Sequence, residues 1–126
     1  MRYLLDTNVL IYLLAAPGEL SSKARQIVET EERLFVSKAS LWEIGIKQSI
    51  GKLSVALSIP EIECQCHERD IEILPASSHA IERIKLLPDV HRDPFDRLLV
   101  AQAQEEDLTI VTRDRLIAQY PIKTVW

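Results

Sequence analysis

Short apolar runs alternate with longer amphipathic segments along the whole chain, and this alternation most constrains the fold. The runs of strand length lie at 2–5, 34–36, 71–74, 108–112 and 122–126. Strands separated by helices pair in parallel through right-handed crossovers and carry helices on both faces. The sequence therefore predicts an α/β protein, a three-layer α/β/α sandwich around a central parallel sheet of about four or five strands.

Helix start and stop signals divide the segments between these strands. The predicted helices cover 9–14, 21–31, 37–50, 58–69, 77–87 and 93–103, with a short one ending at 118. Either Ser21 or Ser22 fits the start of the second, either Ser37 or Ser40 that of the third, and either Ser77 or Ser78 that of the fifth. Gly51 is a plausible stop for the third, and Pro88 ends the fifth.

The sixth predicted helix has the clearest start in the chain. Asp93 is a good N-cap, Pro94 suits the first helical position, and apolar residues follow at helical spacing. Asp96 then falls in the first turn. Free N–H groups and the positive end of the helix dipole favour an ionised carboxylate there, so we expect Asp96 to be charged.

Composition narrows the class of protein. With 126 residues, 47% of them hydrophobic, the chain is expected to form a single domain over 1–126. It has no secretory h-region and no apolar run near the roughly 18 residues of a membrane span, so a cytoplasmic protein without membrane contact is expected. The net charge of −4 argues against bulk electrostatic affinity for nucleic acid, although a local basic rim remains compatible with it.

The two cysteines do not suggest a site. Cys64 and Cys66 are one residue apart, which suits neither a redox motif nor a structural disulfide, so both are interpreted as small apolar residues. With His67 they would supply only a fragment of a soft-metal site, because no second cluster completes four ligands.

Four carboxylates are predicted to meet at one edge of the sheet. In a parallel sheet the binding crevice lies beyond the carboxyl ends of the strands. Asp6 and Asp114 directly follow predicted strands, Glu43 lies near the start of a helix that follows a strand, and Asp96 begins the sixth helix. Each acid also has a structural interpretation: Asp96 complements the helix dipole, and Glu43 pairs with Lys47 at i,i+4. The coincidence of all four favours a site.

A cluster of this kind calls for a cation. Two carboxylates 4 Å apart repel by about 4 kcal/mol at an effective dielectric near 20. Carboxylate oxygens without His or Cys select a hard ion, Mg²⁺ or Mn²⁺, which commonly bridges to substrate phosphate. The pattern therefore indicates phosphoryl chemistry. Five cations near the acids in sequence are candidate phosphate contacts or, equally, surface salt-bridge partners: Lys47, Arg92, Arg97, Arg113 and Arg115.

Five motifs follow one another along the chain: LLDTN at 4–8, VSKASLWEIGIK at 36–47, GKL at 51–53, HRDPFDRLLVAQA at 91–103 and LTIVTRD at 108–114. With them the chain resembles, over its whole length, a PIN-domain ribonuclease of the VapC toxin type. Each motif alone is weak, but together, in this order and at this spacing, they are specific. Relatives often carry His where this chain has Asn8 and Phe where it has Ile117, and neither departure touches a carboxylate.

The resemblance implies a function and a site. It implies a Mg²⁺- or Mn²⁺-dependent endoribonuclease whose metal-site acids are Asp6, Glu43, Asp96 and Asp114. The fourth acid of the site, here Asp114, varies most across the family. Residues implied to support them, by hydrogen bonds to ligands or metal waters or by position, are Thr7, Asn8, Asp93 and Thr112. The implied partners are an RNA substrate, a cognate antitoxin whose C-terminal segment fills the groove, and a second copy of the chain in a homodimer.

Three other functions share part of this sequence pattern. A haloacid-dehalogenase-type phosphatase also places an Asp after its first strand, but its second acid is replaced by Asn8, and Glu43 and Asp96 would be unexplained. A metal-dependent DNA nuclease of the same fold is chemically close, because nothing in the sequence recognises a ribose 2′-hydroxyl. A non-catalytic binding module of the same fold is disfavoured because all four acids are present.

Overall fold

A parallel sheet of five strands forms the centre of the protein. The computed structural model describes residues 1–30 and 32–126. The strands are β1 (Arg2–Leu5), β2 (Arg33–Ser37), β3 (Ile71–Leu74), β4 (Thr109–Val111) and β5 (Thr124–Val125). Their order in the sheet is β3-β2-β1-β4-β5, and every neighbouring pair is parallel. The predicted α/β class and strand number are confirmed, although β5 is shorter than the predicted 122–126.

Six α-helices connect the strands. They are α1 (Thr7–Ala15), α2 (Ser22–Glu29), α3 (Lys38–Ser49), α4 (Ile59–Glu68), α5 (Ser78–Arg83) and α6 (Pro94–Glu106), with 3₁₀ turns at Pro17–Glu19, Ile84–Leu86 and Ile117–Gln119. The structure selects Ser37 and Ser77 as the N-caps of α3 and α5, since each side chain accepts an N–H from the first turn. The predicted end of the second helix at Glu31 lies outside the described residues.

The fifth helix is shorter than predicted and finishes as a 3₁₀ turn. A continued α-helix would need the carbonyl of Ile84 to accept an N–H from residue 88, but that residue is Pro88, which has none. The carbonyl instead accepts the N–H of Leu87 at 3.2 Å, the tighter i+3 pattern. The proline therefore changes the type of the last turn as well as ending the helix.

The sheet buries apolar side chains on both faces, as the three-layer architecture requires. Along β1, Tyr3 and Leu5 join a core with side chains of α1 to α4, whereas Leu4 joins a second core with α6 on the opposite face. Cys66 is buried in the first core, as interpreted, but Cys64 is exposed; both are free thiols. None of the described helices is long and apolar enough to cross a membrane.

Candidate active site

Asp6 lies directly after β1 and caps α1. Its Oδ1 accepts the backbone N–H of Asn8 at 2.7 Å and that of Val9 at 3.4 Å, and its Oδ2 accepts the hydroxyl of Thr112. Only 6% of the residue is exposed. Burial raises the pKa of Asp6, an effect that the hydrogen bonds from Thr112, Asn8 and Val9 oppose. Asp6 is thus a buried carboxylate fixed in one orientation by three donors.

The end of β4 brings Asp114 beside Asp6. Val111 pairs with Leu5 in the sheet, so the residues that follow these two strands lie side by side. The Thr112 hydroxyl bonds Asp6 and also accepts the N–H of Asp114 at 3.0 Å. The negative charge of Asp114 contributes to the raised pKa of Asp6. Thr112 therefore links the two carboxylates, which fits its predicted supporting place.

Asp96 lies in the first turn of α6, where Asp93 caps the helix through a 2.8 Å bond from the Phe95 N–H. Burial raises the pKa of Asp96 to about 7, and the charges of Asp93, Asp6 and Glu43 add to this effect while His91 opposes it. Burial among other acids therefore opposes the predicted ionisation of Asp96, and with a pKa of about 7 the carboxyl is only partly ionised at neutral pH. A helix dipole is worth only about 0.3–1 kcal/mol near the surface, less than burial among other acids costs.

His91 lies between two of the acids, a role that the sequence analysis missed. Its Nε2 is 2.9 Å from Asp96 Oδ2 and 3.1 Å from Asp114 Oδ2. Its Nδ1 accepts the backbone N–H of Asp93 at 3.2 Å, which assigns a proton to Nε2. His91 thus donates to the carboxylate cluster, so the predicted set of acids without histidine was incomplete. The only signal was its place five residues before Asp96, in the loop that enters α6.

Glu43 forms the predicted pair with Lys47 and is nevertheless buried. Its Oε2 is 2.9 Å from Lys47 Nζ, which is the i,i+4 pair, yet its side chain is only 8% exposed. Its Oε1 is buried and has no hydrogen-bond partner among the described residues. Glu43 also contributes to the raised pKa of Asp96, so it belongs electrostatically to the cluster. An unpartnered buried carboxylate oxygen costs free energy unless something positive reaches it.

Three further polar residues serve the framework. The Thr7 hydroxyl donates to Ser40 at 2.9 Å and ties α1 to α3, so it is committed away from the acids. Asn8 is exposed and supplies its backbone N–H to Asp6. The Arg97 guanidinium donates to the Tyr120 hydroxyl and to the carbonyls of Ile84, Pro88 and His91. Arg97 therefore anchors the loop that carries His91.

The donor set fits a hard divalent cation. The Nε2 of His91 and one carboxylate oxygen each of Asp96 and Asp114 lie within 4.8 Å of one another. Glu43 adds a buried oxygen that lacks a partner, and carboxylate oxygens are the ligands that Mg²⁺ and Mn²⁺ prefer. With its proton on Nε2 the imidazole serves as a donor to the acids, and Nε2 would ligate a metal only in the tautomer that carries the proton on Nδ1. The residues present thus fit the metal that the sequence analysis implied.

Comparisons with known proteins identify relatives of this chain. The PIN domain family matches residues 3–123. Ribonuclease VapC22 of Mycobacterium tuberculosis is 31% identical to the chain over 129 residues, which cover 98% of this chain and 97% of that protein.

Solved structures show the same fold. VapBC2 of Rickettsia felis, crystallised with a DNA fragment from its promoter, superposes with a TM-score of 0.73 at 18% identity, covering 99% of this chain and 98% of that one. VapBC-1 of nontypeable Haemophilus influenzae superposes with a TM-score of 0.67 at 19% identity, covering 99% and 97%. At these identities the likeness concerns the fold alone.

Proposed function

Because the chain belongs to the PIN domain family and is of the VapC type, we propose that it is a metal-dependent endoribonuclease and the toxin of a toxin–antitoxin pair. One observation carries the proposal: Asp6, Asp96 and Asp114 are gathered around His91 and Thr112 where β1, β4 and α6 meet. Glu43 completes the set from α3, with one oxygen unpartnered among the described residues.

Asp6, Glu43, Asp96 and Asp114 would together hold Mg²⁺ or Mn²⁺. When bound, such an ion supplies Lewis-acid stabilisation of the negative charge that develops on a phosphodiester during hydrolysis. The attacking nucleophile in this proposal is water, and no side chain forms a covalent intermediate.

The neighbours of these acids do the positioning. Thr112 and the first turn of α1 fix both oxygens of Asp6, while Lys47 orients Glu43 through its Oε2. The Nε2–H of His91 spans Asp96 and Asp114 and sets the distance between them. Groups held in place before the substrate arrives need no reorganisation during the reaction, which is the main source of electrostatic catalysis.

The proposal is tested by incubating the purified protein with a panel of cellular RNAs and matched DNAs, with Mg²⁺ or Mn²⁺ and with EDTA. We expect RNA cleavage that EDTA stops and that Asp6→Asn or Asp96→Asn abolishes. Asp70→Asn is the matched control. Asp70 is exposed and lies at the amino end of β3, whereas the acids lie at the carboxyl ends of the strands. Its left-handed φ of 56° is one that Asn tolerates.

Three results would contradict it. Cleavage that persists in both site variants would place the activity elsewhere. Cleavage of DNA in preference to RNA would favour a DNA nuclease. Metal binding without turnover on any substrate would favour a non-catalytic module.

An antitoxin and a second copy of the chain are proposed as partners. Solved structures of the same fold include VapBC2 and VapBC-1, and the carboxylate cluster suits a basic segment of a small protein. Exposed apolar side chains at i, i+4 and i+8, Trp42 and Ile46 on α3 and Ile50 at its C-cap, form a surface that a partner would cover. Co-purification from the native host tests the antitoxin, and sedimentation of the isolated chain tests the homodimer.

A further inference from the structure

An arginine stacked between two aromatic rings lies next to the carboxylate cluster. The guanidinium carbon of Arg113 is 5.1 Å from the ring centre of Tyr12 and 5.9 Å from that of Trp126. Its Nη2 donates to the Tyr12 hydroxyl at 2.7 Å. Cation–π contacts of this kind hold an otherwise flexible side chain in one place.

This stack lies at the same edge of the sheet as the acids. Arg113 stands in sequence between Thr112, which bonds Asp6, and Asp114, which bonds His91. Tyr12 lies on α1, the helix that Asp6 caps. Trp126 follows β5, and the backbone there is joined to β4 by the bond from the Thr112 N–H to the Val125 carbonyl at 3.0 Å. Two elements that build the acidic site, α1 and the end of β4, therefore also carry the stack, and β5 supplies its second ring.

The other cations near the acids are less suited to bind a substrate phosphate. Lys47 is committed to Glu43, and Arg97 donates to three loop carbonyls and a hydroxyl. Arg92 and Arg115 are exposed and form no hydrogen bond or ion pair within the described part of the chain. Ordering such a side chain on binding costs free energy.

Arg113 combines accessibility with order. Its side chain is 53% exposed, and its one ion pair among the described residues, with Glu19, is long at 3.9 Å and also exposed. Such a surface pair is weak and easily exchanged for a better anion. One N–H of Nη2 is used by the Tyr12 hydroxyl, and the remaining N–H donors of the guanidinium are left to meet the oxygens of a phosphate.

We propose that Arg113 binds a backbone phosphate of the RNA strand beside the bond that is cleaved, and that Tyr12 and Trp126 are positioning residues for its guanidinium. The inference rests on the proposed ribonuclease function and adds a contact that orients the strand across the acidic edge. It commits to single-stranded RNA as the occupant, because the stack is open and its donors fit phosphate oxygens without selecting a base.

Binding tests the contact directly. A fluorescein-labelled single-stranded RNA of twelve nucleotides is titrated with full-length protein in Ca²⁺, with gels to verify that it stays intact, at several salt concentrations. We expect Arg113→Ala to weaken binding about tenfold at low salt and to reduce the slope of log K against log salt by about 0.7, the value for one phosphate of a single strand. Lys123→Ala, which removes a charge at the opposite end of β5, is expected to change neither.

The positioning role is tested by variants that keep the charge. We expect Arg113→Lys to restore the salt slope but not the affinity, because lysine keeps the charge and loses the planar stack. Trp126→Ala should raise KM for RNA cleavage in Mg²⁺ several-fold with little change in kcat, whereas Trp126→Phe should restore KM. A merely structural role of the tryptophan would lower thermal stability without altering the salt slope or the ratio of KM to kcat.

Failure of this proposal differs from failure of the proposed function. If the parent protein neither binds nor cleaves any RNA, the ribonuclease function is wrong and this contact falls with it. If the parent binds and cleaves RNA but Arg113→Ala shows the affinity and salt slope of Lys123→Ala, only the Arg113 contact is wrong.

Discussion

The Nε2 atom of His91 lies 2.9 Å from Oδ2 of Asp96, so an imidazole N–H points at a carboxyl whose pKa is raised to about 7. The same Nε2 atom is 3.1 Å from Asp114. In the metal-free protein this N–H partly offsets the repulsion among acids that a cation would otherwise balance. Without metal, the repulsion among the acids lowers the stability of the fold. The free energy of unfolding should therefore respond to any change in the charges of the site.

Replacing Asp96 by Asn should stabilise the metal-free protein. The amide oxygen can still accept the N–H of His91, while the cost of burying an ionised carboxylate beside Asp6, Asp93 and Glu43 disappears. At pH 8 in EDTA we expect the free energy of unfolding to rise by about 1–3 kcal/mol, a gain of several degrees in Tm for a domain of this size. Thermal melts measure this, and RNA cleavage by the same variant should be lost.

The response to Mg²⁺ makes this prediction specific. A ligand at a hundredfold excess over its Kd stabilises the folded state by about 2.7 kcal/mol, and the parent should gain this while Asp96→Asn gains much less. If Asp96 only complemented the helix dipole, Asp96→Asn would instead lose a little stability in EDTA, and neither protein would respond specially to metal. That combination would defeat the interpretation of a shared carboxylate site.

The stability difference between these two proteins should depend on pH in one direction. The pKa of Asp96 is about 7 in the folded state, against about 3.9 for an unperturbed aspartate. Because the folded pKa is raised, the folded state holds the proton more tightly, and this stabilisation is complete below about pH 4 and is lost as the pH rises through 7. In EDTA, parent and Asp96→Asn should therefore be similar near pH 4 and diverge up to about pH 8. A difference that stays constant over this range would show that Asp96 titrates normally.

Removing the His91 imidazole should lower the stability of the protein more in EDTA than in Mg²⁺. His91→Ala deletes the donor shared by Asp96 and Asp114 and leaves the acids to repel one another. We expect a loss of about 1–3 kcal/mol in EDTA and a clearly smaller loss in Mg²⁺, where the cation supplies the missing positive charge. His79→Ala, at an exposed position on α5, is the matched control. Equal losses with and without metal would mean that His91 only packs the loop.

The sequence predicted the framework well because the relevant signals are local. Alternation of apolar runs and capped helices is enough to predict a parallel sheet. Asp6 is placed by its position directly after β1, and Asp114 by its position three residues after the end of β4. The start of α6 was equally clear, since Asp93 and Pro94 form a specific helix signal.

The sequence could not reveal contacts that depend on loops. His91 reaches Asp96 and Asp114 only because Arg97 and Tyr120 hold the loop before α6, and no periodic pattern records such a constraint. The raised pKa of Asp96 likewise depends on its burial beside acids that come from other parts of the chain. A dipole argument made on one helix cannot include that burial.

The pair of Glu43 and Lys47 offers the last test, because it separates a helix salt bridge from a part of the metal site. The Glu43 side chain is buried, and Lys47 is the one hydrogen-bond or ion-pair partner of its carboxylate among the described residues. Lys47→Met keeps the apolar stem but leaves a buried carboxylate unpaired, so we expect the free energy of unfolding in EDTA to fall by about 1–3 kcal/mol. In Mg²⁺ the loss should shrink, since the cation can take the place of the ammonium. Lys85→Met is the control: Lys85 pairs with Glu82 at i,i+3 on the surface, and its loss should change stability by less than about 1 kcal/mol in either condition. Melting curves of the two variants in both buffers are sufficient. If Lys47→Met loses as much stability in Mg²⁺ as in EDTA, Glu43 is a partner of the helix alone and does not belong to the metal site.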